Sequence, residues 1–132
     1  MRQRYKLSLL LGWLLGLTAV PAVAQRPELS VQTGHALTLT SVALSADGRL
    51  LASGSEDQTI KLWDTTSGTE LRTLTGHAGA ISSVALSADG HLLASGSTDN
   101  TAKLWEVDAG RELRTLTGHT DDVHGVALSP DG

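Results

Sequence analysis

From about residue 35 onward, apolar and polar positions alternate in short runs separated by turn residues, a period-two pattern that predicts half-buried strands and no helix. In the first block the runs cover about 40–44, 49–53, 59–63 and 69–74. Between them stand Ser45-Ala46-Asp47-Gly48, Gly54-Ser55-Glu56-Asp57 and Asp64-Thr65-Thr66-Ser67-Gly68. Asp-Gly pairs and isolated glycines suit turns that need positive φ. The whole block then recurs: residues 35–76 and 77–118 align without a gap and agree at 29 of 42 positions, and a third copy begins at His119 and runs through Gly132.

A fixed period of this length marks a repeat architecture, in which one unit cannot bury its apolar face alone and must stack on its neighbours. The fold class is therefore all-β, built from units of four antiparallel strands. Glu28-Leu-Ser-Val-Gln-Thr33 has the same pattern as Glu70-Leu-Arg-Thr-Leu-Thr75 and Glu112-Leu-Arg-Thr-Leu-Thr117. Residues 25–34 thus read as a linker and the outer strand of a unit whose earlier part is absent. The expected divisions are 1–24, 25–34, 35–76, 77–118 and 119–132.

The first 24 residues have a different composition. Arg2, Arg4 and Lys6 precede an apolar stretch over 7–20, then Pro21 and Ala22-Val23-Ala24. That order predicts a secretory signal peptide cut between Ala24 and Gln25, and so an exported protein, periplasmic or secreted, of bacterial style. The rival reading is an uncleaved membrane anchor, which Gly12, Gly16 and Pro21 disfavour. Cysteine is absent, which excludes disulfides, thiolate metal sites and a lipid anchor on cysteine. Residues 25–132 carry 14 acidic and seven basic residues, a formal charge of −7 that repels phosphate backbones. Nucleic acid is not an expected partner, nor is a membrane once the signal is removed.

Gly34-His35, Leu44-Ser-Ala-Asp-Gly48, Leu51-Ala-Ser-Gly-Ser55, Asp57, Thr59-Ile-Lys-Leu-Trp-Asp64 and the next Gly76-His77 follow one another at spacings that resemble the WD40 repeat family of β-propellers. The resemblance implies four-stranded propeller blades: two full repeats, a partial third, and an incomplete propeller. It also implies structural tetrads of hydrogen-bonded side chains, His35, Ser53, Asp57 and Trp63 in the first blade and His77, Ser95, Asp99 and Trp105 in the second. Two departures stand out: Glu106 follows Trp105 where the family has Asp, and Ala102 replaces the Ile60 of the first repeat.

Ser, His and Asp together also fit a hydrolytic triad, but no Gly-x-Ser-x-Gly elbow occurs, and the trio recurs at one period as a fold signature would. Catalytic residues are therefore expected to be none. A metal site on His35, His77 and His119 would need positions spread around a ring to converge, and Asp121-Asp122 with His124 lacks enough spaced oxygen ligands for calcium. Neither a metal nor a cofactor is expected.

The resemblance implies a non-enzymatic scaffold that binds other proteins. The candidate contact residues vary between repeats in the loop after Gly-His: Leu37, Thr38, Gly79, Ala80, Asp121, Asp122 and His124. Two further readings are a docking or sensing segment at the N-terminus of a larger exported enzyme, such as a caspase-like peptidase, and a truncated product without function. Two blades and a fragment cannot close a ring of about four to eight blades. The expectations are an exposed apolar face at each end, an unpaired strand over 123–128, and self-association through the open blade edges.

Overall fold

A computed structural model of the chain describes residues 34–132, so the predicted signal peptide at 1–24 and all but Gly34 of the 25–34 segment lie outside the described residues. The strands are β1 (Leu39–Leu44), β2 (Leu50–Ser55), β3 (Ile60–Asp64), β4 (Thr69–Leu74), β5 (Ile81–Leu86), β6 (Leu92–Ser97), β7 (Ala102–Glu106) and β8 (Arg111–Leu116). They form two four-stranded antiparallel sheets, ordered β1-β2-β3-β4 in blade 1 and β5-β6-β7-β8 in blade 2. Among the described residues there is no helix, and the two blades do not close into a ring.

Two expectations need correction. The second strand of each repeat does not stop at Ser53: Gly54 pairs with both Ser41 and Ile60, so β2 runs on through Ser55. Gly54 is a glycine of close approach and not of a turn. A Cβ there would sit 2.5 Å from Cγ2 of Ile81 in the next blade, and a Cβ at Gly96 would sit 2.7 Å from Cγ1 of Val123. Nor do residues 123–128 form a strand, because no neighbouring strand supplies a ladder. They are held on blade 2 instead: Ser82 Oγ donates to the Val123 carbonyl, and the Val126 amide donates to Ser83 Oγ at 3.3 Å.

That docking repeats the one between the blades. Thr40 Oγ1 donates to the Ile81 carbonyl at 2.5 Å, and the Val84 amide donates to Ser41 Oγ at 3.1 Å. The Ala46 amide donates to the Ala88 carbonyl, as the Ala88 amide does to the Pro130 carbonyl. The two hydroxyls that donate to the next unit lie at a bulge, where the β1–β2 ladder skips Thr40 and the β5–β6 ladder skips Ser82. A residue left out of the ladder is free to turn its side chain outward.

The core lies between the sheets. Ala52, Ile60, Leu62 and Leu74 of blade 1 form one buried cluster with Ile81, Val84, Leu93, Trp105 and Val107 of blade 2. Alternation along each strand sends one set of side chains to each face, and only the faces that meet are covered. On the far side of blade 1, Leu39, Val42 and Leu44 remain 54%, 58% and 56% exposed. At the other end the face is partly covered: Val123 is buried over Gly96 while Leu116 stays exposed.

Candidate functional site

The turn between β2 and β3 places Asp57 beside His35, and the β2–β3 ladder, which pairs Ser53 with Lys61 and Leu51 with Trp63, sets the Trp63 indole on the diagonal from Ser53. His35 Nδ1 lies 3.0 Å from Asp57 Oδ2 and His35 Nε2 lies 2.8 Å from Ser53 Oγ, while Trp63 Nε1 donates to the same hydroxyl at 2.8 Å. In blade 2 the distances are 2.8 Å for His77 to Asp99, 2.8 Å for His77 to Ser95 and 2.9 Å for Trp105 to Ser95. A carboxylate only accepts, so Nδ1 carries a ring proton; a neutral ring then takes the serine hydroxyl's proton at Nε2, and that hydroxyl accepts the indole N–H. His35 Nε2 also lies 3.2 Å from the Ser53 carbonyl.

Burial opposes ionisation of both aspartates, yet the hydrogen bonds they receive outweigh it. Asp57 accepts from Thr59 Oγ1, from the Ala36 and Thr59 amides and from His35, and its carboxyl is held well below the ordinary 3.8. Asp99 is held low in the same way by Thr101, His77 and the amides of Ala78 and Thr101. Each aspartate thereby ties the loop after Gly-His to the β2–β3 or β6–β7 turn.

The Asp–His–Ser connectivity is that of a charge-relay triad, but its chemistry is spent inside the fold. Ser53 is 2% exposed and Ser95 is 0% exposed, and each hydroxyl already serves both a histidine and a tryptophan. A nucleophile needs an open path to substrate. His119, the third repeat's counterpart, is exposed. Among the described residues no group of three or more histidine or acidic side chains could hold a metal ion.

The loop residues divide into two kinds. Leu37 is 59% exposed, and Thr38, Asp121 and His124 are also exposed. Asp122 is half-buried, its amide donating to Asp121 Oδ1 at 2.9 Å. Gly79 and Ala80 are half-buried as well: a Cβ at Gly79 would meet Thr98 Oγ1 at 2.6 Å, and the Ala80 carbonyl accepts from the Thr98 amide. Sequence reading missed the clasping hydroxyls of Thr40, Ser41, Ser82 and Ser83, because a hydroxyl on a strand carries no mark of which neighbour it will meet. It also missed Lys61, whose ammonium holds Glu70 and Thr73, each at 2.8 Å, with Lys103, Glu112 and Thr115 as the second copy.

The family model of the WD domain, G-beta repeat, matches residues 27–64, 68–106 and 110–132. Vegetative incompatibility protein HET-E-1 of Podospora anserina is 47% identical over 58 residues, which are 44% of this chain and 4% of that protein. Dynein assembly factor with WD repeat domains 1 of Homo sapiens is 54% identical over 41 residues, 31% of this chain and 10% of that protein. Among solved structures, that of U3-55K superposes with a TM-score of 0.68 at 37% identity, covering 71% of this chain and 29% of its own. The crystal structure of RRP9 WD40 repeats superposes with the same TM-score and identity, over 28% of its own chain. The chain therefore spans a tenth or less of these two curated relatives. Three matched segments take in most of the sequence, and both sheets carry the His, Ser, Asp and Trp network: the chain belongs to the WD40 repeat family of β-propeller proteins.

Proposed function

We propose that the chain is an exported scaffold that binds other proteins through the loops after Gly-His and performs no catalysis of its own. The observation that carries this reading is the contrast between the saturated, buried serines of the two networks and the exposed side chains of Leu37, Thr38, Asp121 and His124. Polar chemistry holds the blades, while the loops above them are free to differ. Membership in the family supports a binding role, and one relative is by its name an assembly factor. Export rests on the basic, apolar and Ala-x-Ala order of residues 1–24. The exposed Leu39, Val42 and Leu44 support association with a further blade face, including that of a second copy.

The test is capture of cross-linked partners from the native cells, with the wild-type chain against a variant carrying Leu37→Ser, Asp121→Ala and His124→Ala. Loss of the captured proteins with unchanged thermal unfolding is the expected result. Capture that survives all three changes, or a variant that fails to fold, contradicts the loop assignment. The intact mass of the recovered protein tests export, since cleavage after Ala24 removes the first 24 residues.

A further inference from the structure

At the opposite ends of the strands, where the turn before β2 meets the turn before β6, the blades enclose a groove of about 390 Å³. That volume lies within the range of small ligand sites and admits one long side chain with its neighbours. Leu50, Leu62 and Val107 give the groove its apolar lining, the last two only 1% and 6% exposed. Leu71 also lines it and is 56% exposed. The β3–β4 ladder pairs Leu62 with Arg72 and Trp63 with Glu70, which leaves Leu71 as the extra residue of a bulge. Bulges re-aim side chains in this way beside sites of function.

Three carboxylates line the same groove: Asp47, Asp89 and Asp108. Asp47 Oδ1 accepts from Ser45 Oγ at 2.7 Å and from the Arg49 amide at 3.0 Å, and Asp89 does the same with Ser87 and His91. Those bonds, the amide's first, hold both carboxyls below their ordinary range. One oxygen of each is left outside its turn. Asp108 Oδ2 meets His91 Nδ1 at 2.7 Å. Arg49 and Arg72 are the opposing charges, and Arg72 is tied to the Asp108 carbonyl at 2.7 Å.

The two repeats differ at 13 of 42 positions, and three of those differences meet here: His91 in place of Arg49, Val107 in place of Thr65 and Asp108 in place of Thr66. Both versions build the same sheet, so the sheet does not require the exchanges. Together they supply this groove with an apolar wall and a carboxylate.

We propose that the groove is a docking site for a basic side chain flanked by aliphatic residues, presented by an extended segment of a partner protein. The aliphatic stem packs on Leu50, Leu62, Leu71 and Val107, and the cationic head reaches Asp89 and Asp108. The formal charge of −7 over residues 25–132 favours the approach of a cation. An acidic segment would instead meet Asp47, Asp89 and Asp108, with Arg72 already tied to the Asp108 carbonyl. The inference adds a second surface to the scaffold reading and rests on that reading for the partner being a protein.

The test is an NMR titration of the isotope-labelled full chain with acetylated, amidated Gly-Leu-Arg-Leu-Gly and with its Gly-Leu-Glu-Leu-Gly counterpart. Saturable shifts at the amides of Leu71, His91 and Asp108 are expected from the arginine peptide only. Asp108→Asn and Leu71→Ser, both at exposed side chains, should each weaken binding about fivefold or more. The proposal is overturned by no saturation up to about 10 mM peptide, by equal shifts from the glutamate peptide, or by shifts confined to the loops after Gly-His. Partners captured through those loops without any groove titration sink this inference alone; groove titration with loop variants that still capture partners sinks only the loop assignment.

Discussion

Val42 and Val84 hold equivalent places on β1 and β5, and they are 58% and 6% exposed. The difference comes from what lies opposite: Val84 faces the side chains of blade 1, whereas Val42 points away from the interface that forms the core. Truncation should therefore be felt at one valine only. Val84→Ala should cost about 2 kcal/mol and Val42→Ala less than about 0.5 kcal/mol, compared by urea unfolding. Equal costs would mean that each blade has its own core.

Close approach at the blade junctions makes a second contrast. Gly54→Ala must push its methyl against Ile81, and Gly96→Ala against Val123. Gly125 has nothing within 4 Å of an added Cβ. Overpacking of this kind costs about 1–3 kcal/mol. The expected order of thermal stability places Gly125→Ala beside wild type and Gly54→Ala clearly below it. Gly96→Ala should loosen residues 119–132 first, and limited proteolysis there should quicken.

Ser95→Ala removes the shared partner of His77 Nε2 and Trp105 Nε1, and Trp105 is 2% exposed. Two buried polar groups are then left unpaired, at about 1–3 kcal/mol each. Ser53→Ala should cost less, since Trp63 is only half-buried and its indole can reach water. Chemical denaturation of the two variants measures the gap, and a larger loss at Ser53 would contradict it.

Asp57 and Asp99 ionise more readily in the fold than in the unfolded chain, whose ordinary value is 3.8. A depressed folded pKa stabilises above the unfolded value, and that stability is lost as pH falls below it toward the folded one. The stability difference between wild type and Asp57→Asn or Asp99→Asn should therefore be constant near neutrality and shrink from about pH 4 to pH 2. A difference unchanged down to pH 2 would mean that neither carboxylate gains from its hydrogen bonds.

Much of this was legible in the residues. Alternation and turn chemistry gave four strands per repeat, and the resemblance to the WD40 family implied the tetrad of His35, Ser53, Asp57 and Trp63, whose side chains the structure brings within hydrogen-bonding distance. What stayed hidden depends on the neighbouring unit. Gly54 read as a turn because sequence shows a missing Cβ without showing the Ile81 that requires its absence. Gly79 and Ala80 read as loop contacts because they vary, yet both pack on the Thr98 turn. The groove went unseen since Leu71 of blade 1 lines it together with His91 and Asp108 of blade 2, and sequence does not show which residues face one another across the junction.

Because Ala52, Ile60, Leu62 and Leu74 share one buried cluster with residues of blade 2, neither blade should be stable apart from the interface between them. Residue-resolved amide hydrogen exchange on Ile81→Ala tests it most directly, because Ile81 belongs to blade 2 and packs into the shared cluster. The expected result is that amides of β2 and β3 lose protection to the same extent as those of β6 and β7, the two sheets opening as one cooperative unit. Protection retained across blade 1 while blade 2 exchanges freely would contradict it.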